Sequence, residues 1–233
     1  MKKAIIPYGG LSFLLPCFII KTSEAVIILD IKWIFFDVGS TLVDETEAYN
    51  HRVRDMIKNT DITFSAFDDK RIELAKRGFD GNSKAIEYFG LNKTPWHSED
   101  EVPFDDVSET LEVLKNRGYK LGIIANQVAG TTQRLEAFGL LKYFDVLATS
   151  AELGVAKPDK LIFEKAFELA GCKPQDSVMV GDRLDNDIIP AKASGMQTVW
   201  IRKGLSIYQN IKLAKNCADF IIDNLSDLKE IFK

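Results

Sequence analysis

A chain of 233 residues, 46% hydrophobic and 27% charged, carries enough apolar surface for a full core, in one domain or in one domain with an insertion. Its net charge of -4 and the scatter of its Lys and Arg exclude a basic footprint for nucleic acid. Cys17, Cys172 and Cys217 are too few and too widely spaced for a zinc site or a disulfide framework, so they read as packing residues of a protein in a reducing, cytoplasmic setting.

The chain begins Met1-Lys2-Lys3 and runs through an apolar stretch from Ala4 to Ile20, in outline the start of a secretory signal. Pro7, Gly9, Gly10 and Pro16 interrupt that stretch. No small-x-small cleavage site follows, and about 17 residues is short for a membrane span. Residues 1–28 are therefore read as an N-terminal extension, the mark of a start assigned too early, and no membrane contact is expected.

From Ile31 onward, short apolar runs alternate with helical stretches, the pattern of a parallel sheet covered by helices on both faces. The expected strands are Trp33 to Phe36, Leu121 to Ile124, Phe144 to Leu147, Ser177 to Val180, Gln197 to Ile201 and Asp219 to Ile222. Most are continuously apolar, which places them inside the sheet. Val107, Leu111 and Leu114 recur at helical spacing before a stop at Gly118, and a second helix spans Pro158 to Ala170, its proline in the first turn and Gly171 past its end. Between the first two core strands, residues 46–103 hold no apolar strand run. They carry helix-compatible segments at Ala48 to Lys58, Ala66 to Arg77 and Ser83 to Phe89. The predicted fold is α/β: a doubly wound parallel sheet from residues 29–45 and 104–233, with a small inserted α-helical cap at 46–103 above the carboxyl edge, where open α/β sheets bind ligands.

The informative polar residues fall at the ends of the predicted strands, so the sheet would gather them at one edge. Asp37 follows the first strand, Asn126 the second, Lys157-Pro158 the third, and Gly181-Asp182 closes the fourth, with Asp185 and Asp187 just beyond. A carboxylate directly after a buried strand is costly unless something pairs with it. Several acids and one lysine at a sheet edge suit a hard cation with oxygen ligands and a phosphate substrate, Lys157 supplying fixed positive charge to the phosphoryl oxygens. For Asp185 and Asp187 a helix N-cap is an equally good reading.

Asp37-x-x-x-Thr41-Leu42, Asn126 after an apolar strand, Lys157-Pro158-Asp159 and Gly181-Asp182-x-x-x-x-Asp187 resemble, in order and spacing, the four motifs of the haloacid dehalogenase superfamily, and the insertion after the first resembles its helical-cap subclass. The resemblance spans about Ile31 to Ile222 and implies a Rossmann-like core and a magnesium-dependent hydrolase of small phosphorylated metabolites. It implies that Asp37 is the nucleophile that becomes an aspartyl-phosphate. Asp37, Asp182 and the backbone carbonyl of Gly39 would hold Mg²⁺, with Asp187 supporting the metal or Lys157; Thr41, Asn126 and Lys157 would meet the phosphate.

Two positions depart from that pattern. The family's phosphatases carry a second Asp two residues after the nucleophile, as general acid and then base, where this chain has Gly39. They carry Ser or Thr where it has Ala125. General acid–base catalysis contributes about 10²- to 10⁴-fold, so a chain without it would favour leaving groups that need no proton, such as acyl or aryl phosphates, and Gly39→Asp would raise turnover of poorer esters. Asp44 and Glu45 follow the first motif closely enough for either to be weighed as a substitute acid, but they read rather as solvated loop residues. Alternatives are phosphonate cleavage, using one of Lys58, Lys70, Lys76, Lys84 or Lys93 as an imine former, and a regulatory protein that keeps the phosphate pocket with little turnover. His51 and His97 read as surface or packing residues, Trp33, Phe35 and Phe36 as core aromatics, and Trp96 as packing rather than a substrate contact.

Overall fold

The computed structural model describes residues 30–233 and the two-residue strand Ile20–Lys21. The expectation for residues 1–28 otherwise lies outside the described residues, as does Cys17. In chain order the strands are β1 (Ile20–Lys21), β2 (Trp33–Phe36), β3 (Val43–Asp44), β4 (Val102–Pro103), β5 (Lys120–Ala125), β6 (Val146–Thr149), β7 (Ser177–Gly181), β8 (Gln197–Ile201) and β9 (Phe220–Ile222). The main sheet runs β1-β9-β8-β7-β2-β5-β6, parallel throughout except for β1, which pairs antiparallel on the β9 edge. The α/β doubly wound core is thus as predicted.

A sheet covered on both faces must send alternate side chains into two apolar layers. The helices that matter here are α1 (Thr46–Ile57), α2 (Phe64–Lys76), α3 (Gly81–Tyr88), α4 (Val107–Asn116), α5 (Thr131–Ala137), α6 (Ser150–Leu153) and α7 (Lys160–Ala170). Ile34, Phe36, Leu121, Ile123, Val178 and Val180 join Leu111 and Leu114 of α4 in one cluster. Phe35, Ile124 and Met179 join Ile162, Phe163 and Ala166 of α7 in the other. Each fully buried side chain of this size contributes roughly 1.5–3 kcal/mol. Cys172 and Cys217 pack at the margins of such clusters.

Most boundaries shift by one or two residues from the sequence expectation, and two of the shifts have a clear local cause. β6 begins at Val146 rather than Phe144, because Asp145 turns the chain: its carboxylate accepts from Leu121 N–H at 2.9 Å and from Lys115 at 2.8 Å. The helix expected from Pro158 begins at Lys160. Asp159 takes the cap by accepting from Leu161 N–H at 2.9 Å, leaving Pro158 outside the helix after a cis peptide bond.

The chain leaves and re-enters the core through β3 and β4, which pair antiparallel with Val43 opposite Pro103. Between them α1, α2 and α3 build their own small core from Val53, Met56, Phe67 and Ala85. Thr63 and Asp80 cap α2 and α3 by accepting from Ala66 and Ser83 N–H. Gly81 is required where α3 meets α2, since a Cβ there would lie 2.3 Å from the Arg71 carbonyl oxygen. Among the described residues no helix is long and apolar enough to cross a membrane.

Candidate active site

β2 lies between β5 and β7 with Phe36 opposite Ile123 and Val180, so the residues that follow these three strands share one edge. Asp37 stands at its centre, its N–H donating to Val180 O at 2.9 Å. Lys157, 3% exposed, reaches it from the loop before α7. Its Nζ donates to Asp37 Oδ1 at 2.6 Å, Asp187 Oδ1 at 2.6 Å and Ile124 O at 2.8 Å, which uses all three ammonium hydrogens. Burial by itself would lower the pKa of this amine; the carboxylates of Asp187 and Asp37 outweigh that and hold it above the usual lysine range. Asn126 clamps the same loop, accepting from Lys157 N–H at 2.7 Å and donating to Lys157 O at 2.8 Å.

Asp182 and Asp187 complete the acidic group. Carboxylate oxygens of Asp37, Asp182 and Asp187 lie within 4.8 Å of one another. Among the described residues no hydrogen bond or ion pair reaches the Asp182 carboxylate, and burial, then the charges of Asp187 and Asp37, push its pKa well above the ordinary range. Burial likewise lifts Asp187 to about 6, against the opposing pull of Lys157. Three crowded carboxyls with one ammonium are under-compensated, and their oxygen-only donor set fits a hard divalent ion such as Mg²⁺. The backbone supports this crowding: a Cβ at Gly181 would stand 2.5 Å from Asp187 Cβ and Oδ2. Asp185, by contrast, is exposed and pairs with Arg183 at 2.8 Å; the N-cap of the helical turn Leu184–Ile188 is Arg183, whose N–H donates to Asp187 Oδ2 at 3.0 Å.

The first motif turns sharply after β2, with Leu42 and Val43 N–H groups donating to Val38 O. Ser40 adopts a left-handed φ of 53°, uncommon for a residue with a Cβ. Ser40 lines the pocket while Thr41 turns inward: Thr41, expected at the phosphate, is fully buried, its hydroxyl unpartnered, and off the pocket lining. Gly39, Asn126 and Asp182 do line the pocket.

Glu45 departs from its expectation as a solvated loop residue. It lines the same pocket as Asp37, and its carboxyl stands where a side chain on residue 39 would be: a Cβ built on Gly39 lies 2.5 Å from Glu45 Oε2 and 2.6 Å from Oε1. Burial, then the negative charges of Asp37 and Glu101, push its pKa up to about 8. Spacing alone ranked it as a loop residue, because nothing in the motif shows that Glu45 reaches back over it from the start of α1. The motif alone gave no signal for Tyr49, Asp80 or Asn82, which the inserted helices bring to the pocket wall. Arg183 ties wall to floor, donating to Asp80 Oδ2 at 3.1 Å.

None of Lys58, Lys70, Lys76, Lys84 and Lys93 lines this pocket. Trp96 packs, its Nε1 donating to the buried Glu101 at 2.6 Å. His51, Asp55 and His97 form a second cluster of possible ligands. Its imidazoles are stacked at 3.5 Å and 7°, and His97 bonds to Asp55 and Glu99; parallel rings cannot both direct an in-plane lone pair at one ion, so it is a hydrogen-bonded surface pair.

The family model for haloacid dehalogenase-like hydrolases matches residues 34–201. A glyceraldehyde 3-phosphate phosphatase of Methanothermobacter thermautotrophicus is 32% identical over 203 residues, covering 85% of this chain and 87% of that protein. The pyrophosphatase PpaX of Bacillus mycoides is 28% identical, over 87% of this chain and 97% of its own. Among solved structures, a HAD phosphatase from Thermococcus onnurineus superposes with a TM-score of 0.60 at 27% identity, covering 86% of this chain and 97% of its own.

Proposed function

Because this chain belongs to the haloacid dehalogenase-like hydrolase family, we propose that it is a magnesium-dependent phosphatase of small phosphorylated metabolites, with Asp37 as nucleophile. The observation that carries the reading is the meeting of Asp37, Lys157, Asp182 and Asp187 at one edge of the sheet, from the ends of β2 and β7, the loop before α7 and the turn Leu184–Ile188. Asp37, Asp182 and the Gly39 carbonyl would hold Mg²⁺, with Asp187 close enough to join them. When bound, the ion would offset the carboxylate charge and draw electron density from the phosphoryl oxygens.

The residues of the chain do the rest. Lys157 pins one oxygen of Asp37 and leaves the other to attack phosphorus. The new Asp37–phosphorus bond forms as the ester bond breaks, and water then cleaves the acyl phosphate, releasing phosphate and restoring Asp37. Asn126 fixes the loop that carries Lys157 and so positions the ammonium. Helices α1 to α3, within the inserted cap at 46–103, would close over the substrate, with Asp80 and Asn82 selecting its non-phosphate end. The relatives' substrates set the first compounds to try.

The test is a screen of phosphorylated metabolites, including glyceraldehyde 3-phosphate, pyrophosphate and acyl phosphates, with and without Mg²⁺. Turnover that needs Mg²⁺ and falls by at least about 10³-fold in Asp37→Asn is expected. Hydrolysis that survives both Asp37→Asn and chelation would refute it.

A further inference from the structure

We propose that Glu45 is the general acid and base of this phosphatase, delivering from the start of α1 the carboxyl that position 39 lacks. The inference rests on the reading of Asp37 as nucleophile and goes beyond it. Gly39 and Glu45 are complementary in space. The carboxyl carbon of Glu45 lies 2.7 Å from a Cβ built on residue 39, so no side chain at 39 could coexist with Glu45 in this position. The glycine is thus the room that Glu45 occupies.

Glu45 has no evident structural duty. It is the N-cap residue of α1, yet its side chain makes no capping bond. Among the described residues none donates a hydrogen bond to its carboxyl or forms an ion pair with it, although Arg134 stands close enough to influence it. Its neighbour Asp44, in contrast, accepts from Thr46 N–H at 2.9 Å and is absent from the pocket wall. A carboxyl with no hydrogen-bond donor, lining the same pocket as Asp37, is free to exchange a proton with what enters it.

The step balances without another reactant. As the Asp37–phosphorus bond forms, the ester oxygen leaves with its bonding pair and takes the proton of the Glu45 carboxyl, departing as an alcohol. The carboxylate then removes a proton from water as the water oxygen attacks phosphorus; the bond from Asp37 breaks, and Glu45 is again the acid.

The test compares glycerol phosphate, whose leaving group needs a proton, with nitrophenyl phosphate, whose leaving group does not. Glu45→Gln keeps shape and removes proton transfer. In single turnovers it should slow release of glycerol by about 10²-fold or more, at least about ten times its effect on the nitrophenol burst. The double variant Glu45→Ala/Gly39→Asp should recover part of that selective loss, since the vacated space admits an acid from position 39, whereas Gly39→Asp alone should not raise turnover. Equal losses on both esters in Glu45→Gln, no loss on glycerol phosphate, or no recovery in a double variant that still binds beryllium fluoride would each overturn the proposal. Wild-type protein that turns over neither ester with Mg²⁺ would defeat the parent reading; wild-type turnover with an unchanged ester ratio in Glu45→Gln would defeat this inference alone.

Discussion

Lys157 joins separate parts of the chain through one buried side chain. Its ammonium neutralises two carboxylates and tethers a carbonyl. Lys157→Met would leave Asp37 and Asp187 without it, and breaking a buried charge set in this way costs about 3–5 kcal/mol. Urea denaturation should detect that loss, and Asp187→Asn in the same chain should recover part of it; a variant as stable as the parent would contradict the compensation argument. His97 offers a pH test. Its hydrogen bond with Asp55, then that with Glu99, raise its pKa above the usual histidine value. A group raised on folding stabilises fully below its unfolded pKa, near pH 6.5, and that stabilisation fades as pH climbs through the folded value. Wild type should therefore melt above Asp55→Asn at about pH 6, and the gap should close as pH rises through the raised folded value of His97; a gap that ignores pH would refute the assignment.

At the scale of elements, the strands were readable because burial on both faces forces near-continuous apolar runs, and Trp33 to Phe36 and Ser177 to Val180 leave no other assignment. Their ends were less so. Phe144 reads as strand by composition, but Asp145 prefers to bond the Leu121 N–H, a partner 24 residues away. The inserted helices were legible from their helix-compatible segments and polar breaks, whereas their caps and mutual packing were not. Gly81 illustrates this: its need arises from the Arg71 carbonyl on another helix. Gly81→Ala should cost about 1–3 kcal/mol, because backbone cannot yield as a side chain does, with faster hydrogen exchange concentrated in α2 and α3. Uniform exchange changes, or none, would show that the two helices have room to part.

For the whole molecule, the three acids gathered at the sheet edge predict that a bound divalent cation would add stability. A ligand bound only by the folded state adds about 2.7 kcal/mol at a concentration 100 times its Kd. Mg²⁺ should therefore raise the melting temperature, and Asp182→Asn should remove most of that rise; an equal rise in the variant would place the ion elsewhere.

The sequence by itself determined six strands of the parallel sheet and that Asp37, Lys157, Asp182 and Asp187 follow strand ends, because continuous apolar runs are a local property and strand ends in a parallel sheet converge whatever lies between them. Only the tertiary structure decided what fills the space beside Gly39, that Ser40 rather than Thr41 faces the pocket, and that Arg183 joins the pocket floor to Asp80. Those outcomes turn on ångström-scale approach between side chains from different elements, a quantity that neither residue type nor spacing along the chain encodes.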